Sequence, residues 1–486
     1  MSVMLLLGGL CALWPEDGIA LKKKDAISGQ QVTWHTLRFP KLNQLLTLDG
    51  DTANTPFNPI ERIKKLSKSL TLGEKEQAKT KEDSICTTHP LSEWEKKFIT
   101  FVETNPARIE LPYKDYHYFD ELFARMDSCA TKGELIHISH YGDSQIEADR
   151  ITSHIRKRLQ DKFGGMGPGL LPVVKNDGGS YSVKWRSSQG FEKYVIDGNL
   201  QRVSMNKRYG ALAQYVQFKG DEYFHLQSRM SHLADFTRIR LFVGKNGANF
   251  TANLHCDQNG KNYPRKIEEA NDGATVINWS LPHPTNAFSV KLHGDAEIYG
   301  ITLEDASGIA VDNIPMRGSR GTFFTRMDAS LFTFMHKELN TQLILLEFGG
   351  NAMPLIKSEE DVKAYRQLID MQIKWIKNAC PWAKMILMGP SDMSEMINGS
   401  LQSRPFLEEN IASMRECALE NNICFWNMYE VMGGRNSMQE WVNQNPQLAA
   451  TDYTHFNNVG AEMIAKLFVD SWSNYYDYYQ KSKEAQ

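Results

Sequence analysis

A basic excess, a long apolar run and paired-cysteine spacing are all missing from this chain. Its net charge is −3 over 486 residues. A nucleic-acid binder would show a basic field, so that class is excluded. No apolar run approaches the roughly 18 residues of a spanning helix, which excludes a multi-span membrane protein. The seven cysteines (Cys11, Cys86, Cys129, Cys256, Cys380, Cys417 and Cys424) are scattered, and none forms a C-x-x-C metal spacing. No disulfide framework is legible from them. Cys424 lies in the apolar run Ile423–Trp426 and reads as a buried thiol. The breaker cluster Gly164–Gly169 lacks the lysine and the Ser/Thr of a phosphate loop. No other cofactor or metal motif is visible, so none is expected. A long apolar lid segment is also missing, which argues against a lipase.

What is present is ordinary soluble-protein material, 41% apolar and 23% charged. The length implies two or three domains. The first residues stand apart. Val3–Trp14 is an apolar run the size of a signal-peptide core, with no Lys or Arg before it and Lys22–Lys24 after it. Leu7–Cys11 resembles a lipoprotein cleavage site, with Leu10 too large for the position before the cysteine. The lysines would favour the cytoplasmic side, against simple export. The expectation is an atypical or truncated export or anchor segment, hence possible membrane association and a periplasmic or cell-envelope location. An ordinary buried segment is the plain alternative. Residues 1–110 are assigned to this segment and a linker region, because 61–83 is rich in Lys, Glu, Ser and Thr.

The pattern then becomes globular. Glu134–Ser139 reads as a strand, followed by a turn at Tyr141–Ser144. Ile146, Ala148, Ile151, Ile155 and Leu159 recur at helical spacing. This places Ser144 where a strand gives way to a helix, with the positive helix end aimed at developing negative charge. From about 180 to 304 the chain alternates in short runs such as Thr237–Val243, Phe250–His255, Ala287–Leu292 and Ala296–Leu303, a β-sandwich signature. From 330 the rhythm is strand–helix: Leu343–Phe348, Met385–Met388 and Ile423–Tyr429 alternate with helical segments, the last from Asn458 to Tyr475. That implies a parallel sheet with helices on both faces. The expected architecture is an α/β domain over 111–175 and 305–486, interrupted by a β-sandwich over 176–304.

Three short motifs carry the chemistry. Gly142-Asp143-Ser144 offers a nucleophile, Asp452-x-x-His455 offers a base with an orienting acid, and Gly349-Gly350-Asn351 lies between them in sequence. Ser, His and Asp are the groups a serine hydrolase needs. In open α/β sheets ligands bind beyond the carboxyl ends of strands; Ser144 and Asn351 follow strands and His455 lies in a loop just before the last helix, so all three can converge on one edge. Taken singly, each motif is more simply a turn or a surface feature.

The order Gly142-Asp143-Ser144, Gly318, Gly349-Gly350-Asn351 and Asp452-x-x-His455 resembles the four blocks of the SGNH (GDSL-type) hydrolases. The resemblance covers about 111–175 and 305–475. It implies a flavodoxin-like three-layer α/β fold with a parallel sheet. It further implies Ser144 as nucleophile, His455 and Asp452 as its partners, and Ser144, Gly318 and Asn351 as oxyanion donors. Gly321 and Gly308 lie close enough to compete with Gly318. Gln145 stands where that family usually has leucine, and Ala352 where it has aspartate. An SGNH domain interrupted by a sandwich resembles more narrowly the bacterial peptidoglycan O-acetylesterases, whose insert is carbohydrate-binding-like. The function so implied is removal of O-acetyl groups from a cell-envelope polysaccharide, peptidoglycan first. An O-acetyltransferase with the same triad and a glycan-binding protein with a vestigial site are the rivals.

Other residues invite a role. His137 and His140 flank the first strand and could be read as ligands with Asp143, but no third ligand has suitable spacing, so a packed or supporting role is expected. Glu347 reads as a carboxylate paired with a neighbour. Trp185, Tyr209, Tyr223 and Tyr299 would make a sugar-stacking platform or simply sandwich core. Ser391 and Asp392 end a strand at the presumed active edge.

Overall fold

The computed structural model describes residues 91–485 apart from 176–177, 198–202 and 205, together with 19–24, 31–37, 61–62 and 64–66. The expected export or anchor segment Val3–Trp14 and most of the linker region lie outside the described residues. The chain divides into two units, 1–57 and 58–486. The first contains one antiparallel pair, Ile19–Lys24 with Gln31–Leu37. The second carries everything that follows. Among the described residues no helix is long and apolar enough to cross a membrane.

The second unit is built on a six-stranded sheet. Its strands are β1 (Ile109–Glu110), β2 (Leu135–Gly142), β3 (Gly308–Pro315), β4 (Thr341–Glu347), β5 (Lys384–Met388) and β6 (Cys424–Trp426). The spatial order is β3-β2-β4-β5-β6-β1. The pairs from β3 to β6 are all parallel, and β1 closes the edge antiparallel to β6. Counting the parallel strands alone, this is the order of flavodoxin-like doubly wound sheets.

Every residue of β2 and β4 is buried, which requires cover on both faces. Alternate side chains supply it. Tyr141, Ile344, Leu346, Met385, Leu387 and Phe425 share one core with helices Ala329–Leu339, Glu359–Ala379 and Leu407–Glu420. On the other face Trp426 meets Phe468 of the last helix, Asn458–Glu484. That helix packs with Thr152–Phe163 and Asp120–Lys132.

The sheet layer begins before residue 111. Helix Glu93–Thr104 opens with a capping box between Ser92 and Glu95, and Phe98 stacks on Tyr478 with ring centroids 4.1 Å apart. β1 is too short to give a period-2 signal, so its pairing was invisible to pattern reading.

The strands between β2 and β3 form a separate nine-stranded antiparallel sheet and do not extend the parallel one. Phe250, Ala252, Leu254 and Cys256 alternate inward, as a half-buried strand must. They join a core with Phe224, Leu241, Trp279, Val290 and Ile301. Pairing starts earlier than the expected boundary at 176, since Gly169–Leu171 pairs with Ile301–Leu303. Tyr209 and Tyr299 are buried, and Trp185 packs on the antiparallel core. Of the four candidate platform aromatics only Tyr223 is exposed.

A buried charged cluster joins the two sheets. His137 of β2 lies between Glu304, at 3.0 Å, and Asp312 of β3, at 2.9 Å. Arg240 of the antiparallel sheet pairs with Glu304 and donates to the Glu338 carbonyl. Burial alone would lower the His137 pKa, but Asp312 and Glu304 together raise it to about 9. A raised histidine stabilises the fold fully below its unfolded pKa of roughly 6.5. That contribution disappears as pH rises through about 9. Denaturant titrations should therefore show stability falling between about pH 6.5 and 9 in the wild type and not in His137→Gln. Arg240→Met, which leaves Glu304 short of a cation, should cost about 3–5 kcal/mol.

Candidate active site

The three motifs meet at the carboxyl edge of the parallel sheet. Gly142 of β2 pairs with Glu347 of β4 and with Pro315 of β3. The turns leaving these strands therefore start side by side. Gly142 is required by space: a Cβ there would sit 2.9 Å from Ile146 and 3.2 Å from the Glu347 carbonyl. Gly349 turns the chain after β4 with a φ of 118°, a conformation that glycine alone adopts easily.

Ser144 opens a three-residue 3-10 turn, Ser144–Ile146, with Asp143 capping it through the Gln145 N–H. The helix expected directly after Ser144 starts only at Thr152. Ala148 and Asp149 intervene with positive φ, and Ala148 makes a bridge to Ser180. The buried Asp149 carboxylate is held there by Arg156 and Ser182. Apolar spacing continued through the break, so it read as one helix. Ser144 therefore does not sit at the N-terminus of that helix.

His455 arrives from the far end of the chain. Its Nε2 lies 2.7 Å from Ser144 Oγ, and its Nδ1 lies 2.7 Å from Asp452 Oδ2. The other Asp452 oxygen accepts the backbone N–H groups of Thr454 and His455, both at 3.0 Å. Tyr453 has a positive φ and bends the turn so that the carboxylate folds back beneath the ring. Partial burial would raise the Asp452 pKa, but the His455 backbone and side chain and the Thr454 N–H hold it below the usual range. The acid stays ionised and fixes the histidine with Nδ1 protonated and Nε2 free to accept.

Asn351 stands opposite. Its Nδ2 donates to Asp143 Oδ2 at 3.0 Å, which leaves its second amide hydrogen unassigned to that bond. Both residues line the same cleft as Ser144, His455, Ser391 and Arg404. Phe348, Pro354, Pro390, Met393 and Met428 form its apolar wall. The arrangement combines a serine hydroxyl, an imidazole with its carboxylate and a side-chain amide in a cleft with an apolar wall. That is the equipment for attack on an ester carbonyl.

Gly318 lies in a turn after β3 with positive φ and is not among the cleft-lining residues. Gly321 spends its N–H on Ser319 Oγ. Gly308 belongs to β3 itself. Asp392 is buried and accepts from the Met438 N–H, while its neighbour Ser391 faces the cleft. His140 and Glu347 pair at 3.1 Å behind the site, and His140 reaches Thr152. Among the described residues no group of three or more His, Cys, Asp or Glu could hold a metal. The five described cysteines, Cys424 among them, are buried and free. Sequence reasoning passed over Arg404 and Met393, which come from the loop and hairpin after β5. Nothing in their local pattern marked them.

No protein-family model and no curated protein matches the chain. Solved structures do. A peptidoglycan O-acetylesterase structure aligns with TM-score 0.61 and 20% identity, over 74% of this chain and 97% of that one. The chain shares that protein's fold, so the likeness expected from the sequence is found at the level of fold. A family two carbohydrate esterase from Cellvibrio japonicus aligns at TM-score 0.24 and 10% identity, over 61% of this chain and 99% of that one. A family 32 carbohydrate-binding module from C. perfringens NanJ aligns at TM-score 0.17 and 13% identity, over 24% of this chain and 94% of that one. Likenesses at those two scores carry no argument.

One group in the site has an unusual charge state. Burial pushes the Asp143 pKa up to about 7, and the nearby Glu347 adds to the rise. The folded state therefore holds this proton more tightly than the unfolded chain does. Stability should fall as pH rises from about 4, the unfolded value, to about 7. Asp143→Asn removes that dependence. The melting-temperature difference, variant minus wild type, should rise by on the order of 2–4 °C or more between pH 4 and pH 8. A constant difference would show that folding does not raise the Asp143 pKa.

Proposed function

We propose that the chain is a serine esterase of the SGNH type that removes O-acetyl groups from a cell-envelope polysaccharide, peptidoglycan first. The observation that carries this reading is the continuous relay Ser144 Oγ–His455–Asp452, at 2.7 Å on each side of the imidazole, in a cleft that also presents Asn351. The shared fold with a peptidoglycan O-acetylesterase supports the choice of substrate. The antiparallel domain is read as a carbohydrate-binding-like β-sandwich, and the protein's work is placed in the bacterial periplasm or cell envelope.

The chemistry follows from the geometry. His455 Nε2 takes the Ser144 hydroxyl proton as Oγ attacks the acetyl carbonyl. Asp452 stabilises the imidazolium that forms. The Asn351 amide and the backbone N–H groups of Ser144 and Gly318 receive the oxyanion. His455 then gives its proton to the departing sugar hydroxyl. A water, deprotonated by the same nitrogen, releases acetate and restores the serine.

Ser144→Ala should abolish acetate release from a small acetyl ester while circular dichroism and melting temperature stay near wild type. Activity within a few-fold of wild type would remove Ser144 as nucleophile. Acetate release from O-acetylated peptidoglycan, measured with and without a sugar acceptor, tests the substrate and the reaction together. Acetyl transfer outrunning acetate release would make the chain a transferase.

The oxyanion role has its own signature. Asn351→Ala should lower kcat by roughly 10²–10³-fold with little change in KM, because the amide acts on charge present only in the transition state. A pure KM effect would make Asn351 a binding residue.

A further inference from the structure

The residue after the nucleophile is polar and almost fully buried. Gln145 is 7% exposed. A buried amide without partners costs about 1–3 kcal/mol. This one is satisfied in a specific way. Its Nε2 donates to the Thr454 carbonyl at 2.6 Å and to Ser391 Oγ at 3.1 Å. Its Oε1 accepts the Phe456 N–H at 3.3 Å. Two of the three bonds thus land on the residues immediately before and after His455. The carboxamide treats the segment 454–456 as a neighbouring strand would, taking one N–H and one C=O on either side of a residue.

That segment is also held by the Ala450 N–H on the His455 carbonyl at 2.8 Å, a bridge between Ala449 and Phe456, and Phe456 packed on Trp441, but none of these contacts reaches the Ser144 loop. It belongs to an irregular loop, and the His455 side chain is 30% exposed. Asp452 orients the ring from within the same turn, so it cannot fix where the turn lies relative to Ser144. Arg150 adds one bond, to the Phe456 carbonyl at 3.0 Å. Gln145 is bonded covalently to Ser144 and by hydrogen bonds to both neighbours of His455. It therefore ties the backbone of the serine turn directly to the backbone on both sides of His455.

We propose that Gln145 is a positioning residue that sets the Ser144–His455 distance by holding the histidine turn. This rests on the serine-esterase reading above. A displacement of about 1 Å at reacting groups typically costs on the order of 10²-fold in rate. Gln145→Met keeps the volume and removes all three bonds. Hydrolysis of p-nitrophenyl acetate should then lose about 10²-fold in kcat with KM within about two-fold.

The decisive measurement is a double-mutant cycle with His455→Ala. If Gln145 acts through the histidine, Gln145→Met should cost almost nothing further when His455 is already alanine. An equal loss in both backgrounds would overturn the proposal, since Gln145 would then act on substrate or on the fold at large. Should Gln145→Met fail to fold, Gln145→Glu keeps the shape and the Phe456 acceptor but sets a carboxylate oxygen against the Thr454 carbonyl. The same kcat-confined loss is expected there, and wild-type kcat would overturn the proposal. Ser144→Ala run alongside separates the two readings. If it is as active as wild type, the serine mechanism fails. If it is inactive while Gln145→Met and Gln145→Glu retain wild-type kcat, only the positioning role fails.

Discussion

Parallel pairing of β2 with a strand on each side is the constraint on which the site depends. In a parallel register every strand ends at the same edge, so the loops after β2, β3 and β4 must begin together. Ser144 follows Gly142 closely, and Asn351 follows Glu347 after a short turn. No long-range recognition between these loops is needed to bring the serine and the amide together. The cost falls on β2 itself, which carries His137, Ser139 and His140 into a fully buried strand. Each is accommodated by a partner on an adjacent strand or helix: Asp312 for His137 and Ser139, Glu347 and Thr152 for His140.

The histidine obeys a different logic. Sheet register does not place it, because it lies in a loop ahead of the last helix. Its turn is held by a backbone bridge from Ala449 to Phe456, by the Ala450 N–H on the His455 carbonyl and by Asp452, and it is tied to the Ser144 loop by Gln145 and Arg150. Directed bonds of this kind are individually worth only about 1 kcal/mol in stability, but they are sharply dependent on geometry. The site thus combines one half set by sheet register with another set by a loop and the bonds that tie it to the Ser144 turn. Burying Asp143 beside Glu347 works against folding, and such strain concentrates where activity requires it.

What could be read in the sequence followed from how strongly each feature repeats. β2, β4, β5 and the flanking helices were legible because burial on both faces, or at helical spacing, leaves long apolar signals. The separate antiparallel sheet was legible from alternation, as in Phe250–Cys256. β1 was missed because two residues carry no period, and helix Glu93–Thr104 because the start was set at 111. The false helix at Ile146–Ile151 shows the limit of periodicity. Ala148 and Asp149 adopt left-handed conformations that depend on tertiary partners, Ser180 and Arg156, not on their own propensities. Gln145 registered only as a departure from leucine. Its three bonds join residues far apart in the chain, and no local pattern encodes that.

The antiparallel domain is attached through charge as well as chain. Its last strand, Ala287–Glu304, runs almost directly into β3 and delivers Glu304 to His137 under the sheet. Arg240 completes the neutralisation from the same domain. Cutting the domain away would strip His137 of one carboxylate and leave Asp312 as its remaining acidic partner in a newly opened face. Loss of one partner of a buried ion pair typically costs about 3–5 kcal/mol, a large part of a domain's total stability. Deletion would therefore report on folding before it reported on glycan binding. A role of this domain in holding polymer is better separated by substitutions on its outer face, such as at the exposed Tyr223, where the buried cluster is untouched. The domain is thus a structural part of the α/β unit whether or not it also touches substrate.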